Sequence, residues 1–435
     1  MEVRDPVHGS IQIDDCEVPI LEGPFFQRLR NIKQLGFSEY IFPGATHTRY
    51  LHSIGVMDIG GRIFDKLFEN SIKDANYKRL RETLRLSCLL HDIGHAPLSH
   101  TTEIVMPQVS KLQLPSVYNP RSDRQASHED YTIKAITDSE LTESFKAVQD
   151  AYGVNPDCVA DVILGINHHP DYFLFDGLDI FPVMHQLVSS EMDADRMDYL
   201  LRDSYFCGVS YGKFDLDWII DNLHLATFEG PTHKQAFLAL SERAVATFDD
   251  FLLSRFHMFL MVYFHYKAVC LEKILARFFK TSDEYKIPAS INEYLNHDDH
   301  FLMKVLRNSK NPWAKKVITN SIPKKIFETF GLSEMDKLET LEDFLDTNDI
   351  DYIKCSSAGR LSKYYQHDDP QDYQYSLKVV RSHGIDGTHQ SYRDIHQATD
   401  LFDKFSRSHI VNRIHCEYED LPSKTQKEIR KIIGD

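Results

Sequence analysis

Apolar residues recur at helical spacing through most of the first 280 residues of the chain. Leu80, Leu84 and Cys88 follow one another at steps of four, and the segment 159–166 repeats the same period. This spacing places the apolar side chains on one face of a helix. The segment 242–280 is strongly apolar and contains neither glycine nor proline, so we expect a long helix that runs through the core or an interface.

The pattern changes in the last third of the chain. Apolar and polar residues alternate over 373–379, as the side chains of a half-buried strand do, and a second strand is predicted over 410–418. We therefore expect a mainly α protein with two regions. A helical core occupies residues 1–280, and a smaller mixed α+β region in residues 281–435 serves oligomerisation or regulation.

Composition and charge narrow the class of protein. With 435 residues, of which 42% are hydrophobic, the chain can bury a large core. No apolar run approaches the ~20 residues of a membrane-spanning helix, and no signal peptide is evident. Seven cysteines without a CxxC pair indicate reduced thiols, so we expect a cytoplasmic protein. The formal net charge of −16 argues against general binding to nucleic acid.

A dense group of titratable side chains follows one of the apolar helical runs. His91 and Asp92 end that run, and burying an imidazole beside a carboxylate is costly unless a partner such as a cation compensates. With His52 and Asp195 they form a candidate set of four metal ligands. Their nitrogen and oxygen donors suit iron, manganese, zinc, cobalt or magnesium. His95 lies four residues after His91 and faces the same cleft if the helix continues.

Four segments around these residues resemble a known family. Residues 5–9, 26–36, 42–53 and 193–203 are similar to motifs of HD-domain phosphohydrolases, in the branch that hydrolyses deoxynucleoside triphosphates. The resemblance is dense over residues 3–275. It implies an HD-domain helical core, one divalent metal ion, deoxynucleoside triphosphates as substrates and a homo-oligomer, either a dimer or a tetramer.

The resemblance also assigns roles to the candidate residues. The metal ligands that it implies are His52, His91, Asp92 and Asp195. The catalytic group that it implies comprises His95, His100, Glu103, His128 and Glu129. The residue matching His128 acts on the leaving or attacking oxygen in the family, and the adjacent acid orients it. A carboxylate bonded to one imidazole nitrogen fixes the tautomer and raises the basicity of the ring.

Recognition of a triphosphate needs several cations near the metal, and contacts to the sugar set the preference for deoxynucleotides. The substrate contacts that we predict are Gln34, Arg49, Arg196, Tyr199, Arg202, Asp203, Arg255, Tyr263 and Lys267. By resemblance, the arginines at 49, 196 and 255 face phosphate, whereas Gln34, the two tyrosines and Asp203 face the sugar. Phe259 and Phe264 stand where the best-known relatives carry polar side chains, so a base preference does not carry over.

A second nucleotide site is implied near the N-terminus. The segment 22–30 resembles the family's effector site, in which an acid, a glutamine and an arginine bind guanine. Glu22 stands where relatives have aspartate, and Gln27 and Arg30 match. We expect GTP or dGTP to bind there between subunits and to promote assembly and activity. The alternative is that these residues form a solvated helix surface.

The leading interpretation is a metal-dependent triphosphohydrolase that converts a dNTP into deoxynucleoside and inorganic triphosphate. A phosphodiesterase or nucleotidase is the runner-up, because His168 and His169 precede Asp195 as in HD phosphodiesterases that hold two or three metal ions. A second metal ion belongs to that alternative. The third hypothesis is a nucleotide-sensing scaffold without catalysis, against which the proton-transfer residues argue.

Overall fold

The structure, a computed structural model, describes residues 1–71, 74–118, 123–331, 333–359, 377–383, 389–399, 401 and 409–434. The helices up to residue 281 are α1 (Val18–Glu22), α2 (Pro24–Arg28), α3 (Arg49–Leu67), α4 (Ala75–Leu90), α5 (His128–Thr137), α6 (Glu140–Ser144), α7 (Lys146–Tyr152), α8 (Pro156–Leu164), α9 (Phe181–Val188), α10 (Ala194–Cys207), α11 (Leu216–Asp221), α12 (Val245–Met258) and α13 (Tyr266–Thr281). Those that follow are α14 (Ile291–Tyr294), α15 (Asp299–Asn308), α16 (Pro312–Ile318), α17 (Met335–Thr347) and α18 (Ser423–Ile433). No helix in these described ranges is long and apolar enough to span a membrane.

Strands and short turns connect these helices. The strands are β1 (Glu2–Asp5), β2 (Gly9–Gln12), β3 (Leu174–Phe175), β4 (Leu178–Asp179), β5 (Leu223–Glu229), β6 (Lys234–Ser241), β7 (Lys324–Phe330), β8 (Tyr352–Gly359), β9 (Lys378–His383), β10 (His389–Asp394) and β11 (His409–Cys416). The 3-10 helices include Leu29–Asn31, Gly36–Tyr40, Ser99–Val105, Val109–Leu112, Pro170–Phe173 and Glu242–Ala244.

The helical core is built around α3, which packs against both α4 and α10. Gly55 of α3 faces α10, where a Cβ atom would lie 1.9 Å from Asp198 Oδ1 and 2.4 Å from a guanidinium nitrogen of Arg202. The absence of a side chain at Gly55 lets α10 approach this closely. Asp198 and Arg202 are consequently buried between the two helices.

A mixed sheet joins the two parts of the chain. Its strand order is β10-β9-β6-β4-β3, and β5 pairs with β6 as an antiparallel hairpin. Strand β9 runs parallel to β6, with Lys378 opposite Ala239. Because β9 comes from beyond residue 281, the C-terminal region that we predicted contributes to a sheet of the helical region.

A second, three-stranded antiparallel sheet has the order β7-β11-β8. It packs with α17 and α18 around a small core that consists of Phe327, Leu338, Leu341, Leu345, Ile414, Cys416, Tyr418 and Ile429. The prediction of a mainly α protein with a smaller mixed α+β region is thus confirmed. The predicted strand at 410–418 corresponds to β11. Of the other predicted strand, Val379 lies in β9, whereas Tyr373 and Tyr375 fall outside the described residues.

The predicted long helix over 242–280 is interrupted, and this expectation was wrong. A turn of π-helix at Phe259–Tyr263 follows α12, and the amide of Phe264 donates to the carbonyl of Phe259, five residues earlier. His265 then leaves helical geometry, and its side chain accepts a hydrogen bond from the amide of Lys267 to cap α13. Arg255 and Lys267 therefore lie on different helices rather than on one face of a single helix.

Candidate active site

The four predicted metal ligands converge from three helices. His52 lies on α3, His91 caps the C-terminal end of α4 with Asp92 after it, and Asp195 lies in the first turn of α10. Asp195 Oδ1 is 3.0 Å from Nε2 of His52 and 3.6 Å from Nε2 of His91. The oxygens of Asp92 lie 3.7 Å from Nε2 of His52 and 3.4 Å from Nε2 of His91. His52, His91 and Asp195 thus form one group with metal-ligand spacing, and Asp92 stands beside both of its histidines.

Hydrogen bonds fix which nitrogen of each histidine faces this point. Nδ1 of His52 lies 2.8 Å from Asp198 Oδ2, and Nδ1 of His91 lies 2.7 Å from the carbonyl oxygen of Cys88. Each acceptor requires Nδ1 to carry a proton, so Nε2 is the nitrogen that is left to bind a cation. Within the described ranges, both Nε2 atoms are buried without a hydrogen-bond partner. Two unpaired imidazole nitrogens beside Asp195 fit a divalent cation.

Neighbouring charges keep the two carboxylates ionised. Burial would raise the pKa of Asp92, but the Arg49 guanidinium and the imidazoles of His91 and His95 outweigh it and hold that pKa well below its ordinary value. Burial acts in the same direction on Asp195, but the neighbouring imidazoles of His52 and His91 outweigh it and lower its pKa. Burial would lower the pKa of His52 and of His91, but neighbouring carboxylates outweigh it, so that the pKa of His52 is raised to about 10 and that of His91 is also raised. A bound cation would take the place of the proton on each Nε2.

A buried ionic network, which we did not predict, orients the ring of His52. Asp198 accepts the Nδ1 proton of His52 and also lies 2.6 Å from Nε2 of His8. Arg202 donates to both oxygens of Asp198, at 2.8 Å and 2.9 Å, and to Asp5 at 2.7 Å. The N-terminal hairpin of β1 and β2 therefore takes part in orienting a metal ligand.

This network corrects the placement of one predicted substrate residue. Arg202 was expected to contact the triphosphate, but its side chain has no exposed surface and its guanidinium is committed to Asp5 and Asp198. The helical spacing correctly placed Arg202 on the face of α10 near Asp195. It did not distinguish the cavity side of that face from the side packed on α3.

A group of three histidines and one acid stands beside the metal ligands. Nδ1 of His128 lies 2.6 Å from Glu103 Oε1, and Nδ1 of His100 lies 3.1 Å from the same oxygen. Partial burial would raise the pKa of Glu103, but these two hydrogen bonds hold it well below its ordinary value. The acid bonded to His128 is thus Glu103 and not the adjacent Glu129 that we expected to orient it.

His95 reaches this group by a turn rather than by a continuing helix. The helix α4 ends at Leu90, and the chain then bends at Gly94, where a Cβ would lie 2.2 Å from the carbonyl oxygen of His128. This close approach stacks the rings of His95 and His128, whose centroids are 4.0 Å apart. Burial and the nearby Arg49 guanidinium lower the pKa of His95 well below its usual value, so its imidazole is neutral.

Three of the four metal ligands and the three histidines of this group line one cavity of about 500 Å³, within the range of roughly 300–1,000 Å³ typical of small-molecule sites. The predicted residues that line it are Gln34, Arg49, His91, Asp92, His95, His100, His128, Glu129, Asp195, Arg196 and Tyr199. Its other walls come from Ile163, Leu164, His185, Val188, Ser189 and Asp193, which sequence reasoning did not single out. Asp193 also accepts hydrogen bonds from the backbone and side chain of Arg196.

Four other predicted substrate residues lie outside the lining of this cavity. Asp203 is buried and lies 2.7 Å from both the hydroxyl of Tyr263 and Nε2 of His47. The guanidinium of Arg255 is paired with the buried Glu191. Lys267 lies in the first turn of α13, beyond the break in the predicted long helix. The ring of Tyr263 stands edge-on to that of Tyr199, with centroids 6.2 Å apart, and so connects Asp203 to the cavity wall.

The predicted effector residues lie on the surface of α1 and α2 and the turn after them. Glu22 is exposed, and Arg30 Nε donates to Gln27 Oε1 at 2.7 Å. The Arg30 guanidinium lies 3.6 Å from the centroid of the Tyr50 ring. The structure therefore brings Gln27 and Arg30 together in a fixed arrangement at an exposed edge.

The residues that could hold a second metal ion differ from those that we expected. His168 and His169 both direct Nδ1 at the buried Asp161, and neither lines the cavity. Within the described ranges, further groups with metal-ligand spacing are Asp92 with His95 and His128, and His100 with Glu103 and His128. His128 belongs to both groups, so a second ion bound at either one would occupy this histidine.

Two family models match this chain. The HD domain matches residues 49–203, which carry all four metal ligands, and the HD associated region matches residues 214–358. The chain therefore belongs to the HD-domain phosphohydrolases. Within that family it lies in the branch that contains deoxynucleoside triphosphate triphosphohydrolases.

Individual relatives are similar over most of the chain. An uncharacterized protein of Methanocaldococcus jannaschii is 30% identical over 338 residues, which are 77% of this chain and 62% of that protein. The deoxynucleoside triphosphate triphosphohydrolase SAMHD1 homolog of Dictyostelium discoideum is 26% identical over 73% of this chain and 57% of its own length. The chain thus spans less than two thirds of either relative. A crystal structure of a hypothetical protein from Aquifex aeolicus superposes with a TM-score of 0.74 at 26% identity, covering 99% of both chains.

Proposed function

We propose that this protein hydrolyses deoxynucleoside triphosphates to deoxynucleosides and inorganic triphosphate. The main support is the convergence of two unpaired Nε2 atoms and Asp195 beside a cavity that also presents Arg49 and the His128–Glu103 pair. The relatives that are named deoxynucleoside triphosphate triphosphohydrolases support the choice of substrate.

The ligand set would hold one divalent cation, which when bound supplies Lewis acidity toward a phosphate oxygen. The chain itself would position the triphosphate. Arg49 and Arg196 both line the cavity, and a guanidinium can bind two phosphate oxygens at once. Arg49 also donates to Asp92 and to the hydroxyl of Ser99, at 2.8 Å, so its position is fixed before substrate enters.

Proton transfer is assigned to His128. Its Nδ1 is held by Glu103, an arrangement that fixes the orientation of the ring and leaves Nε2 for proton transfer. We propose that water adds to the α-phosphorus, the bond to the 5′-oxygen breaks, and His128 protonates that oxygen. The attacking water gives up one proton to solvent, from which His128 regains the proton that it donated. The neutral ring of His95, stacked on His128, restricts its rotation.

Sugar selection is assigned to Tyr199 and to the residues behind it. Tyr199 lines the cavity, and Tyr263 and Asp203 lie behind it through the ring contact and a hydrogen bond. We propose that this packed wall excludes a 2′-hydroxyl, because a hydroxyl on that side would be buried without a partner. Gln34, which also lines the cavity, is the second candidate contact to the sugar.

The first prediction concerns the products. Purified protein with Mn²⁺ and a single dNTP should release deoxynucleoside and intact triphosphate in equal amounts, because attack at the α-phosphorus leaves the three phosphates joined. Phosphorus NMR identifies the triphosphate, and chromatography quantifies the nucleoside. The His128→Ala variant, prepared in parallel, controls for contaminating phosphatases. Pyrophosphate or orthophosphate as the first product contradicts the proposal.

We also propose that a guanine nucleotide at Glu22, Gln27 and Arg30 activates the enzyme by promoting assembly. The support is the preformed Gln27–Arg30 pair at an exposed edge, since an arginine can donate to the acceptor atoms of guanine. A nucleotide that binds between subunits stabilises the oligomer, and the stabilisation grows with the logarithm of the nucleotide concentration once this exceeds the Kd.

This second prediction is tested with a dNTP that does not itself contain guanine. GTP should raise both turnover and the oligomeric mass of the wild type, and Arg30→Ala should abolish the response. Arg243→Ala, at another exposed arginine, is the matched control and should respond as the wild type does. Full activity without GTP, unchanged in Arg30→Ala, would show that no guanine effector acts at this surface.

A further inference from the structure

Three buried side chains form a cluster of sulfur and nitrogen donors outside the active site. They are Cys270 on α13, Cys355 on β8 and His415 on β11, and each has no exposed surface. One donor atom from each lies within 4.8 Å of the other two. The cluster stands where α13 packs against the three-stranded sheet.

The strand register places the two sheet residues on the face toward α13. Cys355 is opposite Arg413, and His415 is opposite Ile353, so Cys355 and His415 are diagonal neighbours on one face. The alternating residues Ile414 and Cys416 point to the other face, into the small core with α17 and α18. The face toward α13 therefore carries the imidazole and one thiol, and α13 supplies the second thiol.

The orientation of His415 indicates a ligand. Its Nδ1 lies 3.1 Å from the carbonyl oxygen of Pro323, an acceptor that requires Nδ1 to carry the proton. Nε2 consequently presents a lone pair, and it is buried without a hydrogen-bond partner among the residues that the structure describes. A packed pair of thiols needs no imidazole, and a disulfide would leave this nitrogen unpaired. A thiophilic cation accounts for all three side chains.

We propose that Cys270, Cys355 and His415 bind a zinc ion that fastens the three-stranded sheet to helix α13. Two thiolates and one imidazole are a ligand set that zinc accepts, with water in the fourth position. As the two sulfur–zinc bonds form, each thiol releases its proton to solvent. Helix α13 also packs against the Ser99–Val105 turn, which carries His100 and Glu103. By fixing α13, the ion would also stabilise the position of this turn.

Cobalt substitution tests this proposal on the full-length protein. Chelator-treated protein reloaded with Co²⁺ alone should show an intense sulfur-to-cobalt charge-transfer band in the near ultraviolet. His91→Ala should keep the band, since the active site offers cobalt no sulfur. Cys270→Ser and Cys355→Ser should lose it, whereas Cys416→Ser, at a buried cysteine on the opposite face of β11, should keep it.

If the serine variants fail to fold, measurements on the wild type and on His91→Ala still test whether the zinc site exists. The purified protein should carry one equivalent of zinc that His91→Ala retains, and chelation should make two further cysteines reactive toward alkylating reagents. Absence of the sulfur-to-cobalt band in the wild type overturns the proposal. So does a Cys270–Cys355 disulfide found by mass spectrometry of the unreduced protein.

Discussion

Replacing His91 or Asp92 with alanine is expected to remove the active-site metal and with it essentially all turnover. Each side chain faces the point where His52 and Asp195 converge, and the unpaired Nε2 of His91 would have no substitute. A catalytic metal stabilises developing charge by several kcal/mol, so turnover should fall by at least about a thousandfold. Elemental analysis of the purified variants, together with the rate of dNTP hydrolysis, measures both effects.

His300→Ala is the control for this experiment. His300 also neighbours an aspartate in the sequence but is exposed on α15, away from the cavity, and its variant should keep metal and activity. If either His91→Ala or Asp92→Ala retains a full equivalent of active-site metal, the ligand assignment is wrong. Because a zinc ion at Cys270 would persist in both variants, the count must be made on protein reloaded with Mn²⁺, which thiolates bind poorly.

Replacing His128 with alanine should lower turnover by about 10²–10⁴-fold while the active-site metal is retained. The variant loses the imidazole that Glu103 holds at 2.6 Å but none of the four ligands. Single-turnover rates on protein of known metal content separate loss of chemistry from loss of metal.

Two carboxylate variants show whether Glu103 or Glu129 acts together with His128. Glu103→Gln should resemble His128→Ala, because Glu103 is the acid bonded to that ring, whereas Glu129→Gln leaves this hydrogen bond in place and should have the smaller effect. If His128→Ala instead loses a second equivalent of metal, the site holds more than one ion. The groups formed by His128 with His100 and Glu103, or with Asp92 and His95, would then be ligand sets.

Local sequence patterns were sufficient to predict the helical core and to single out His91 and Asp92 as candidate metal ligands. His91 and Asp92 could be recognised because titratable side chains at the end of an apolar helix need compensation, and that requirement depends on neighbouring positions alone. The strand β11 was predicted from alternation for the same reason. Such features are set by residues that are close in the chain.

The errors share a different physical origin. Whether Arg202 faces the cavity or the protein interior depends on Asp5, which comes from the opposite end of the helical region. The partner of His128 is Glu103, 25 residues away, instead of its neighbour in sequence. The break before α13 depends on a cap by His265, a residue type that carries no strong signal for helix ends. Pairings between distant segments leave no periodic trace in the sequence.

The parallel pairing of β9 with β6 sets an order of events during synthesis. Strand β6 emerges from the ribosome with the helical region, but its neighbour β9 is made only after α14 to α17 and β7 and β8. Until then, one edge of β6 exposes unpaired backbone groups near Leu240 and Ser241, which other chains could pair with. The nascent helical region is therefore expected to fold early yet to need protection from association until the remaining segments arrive.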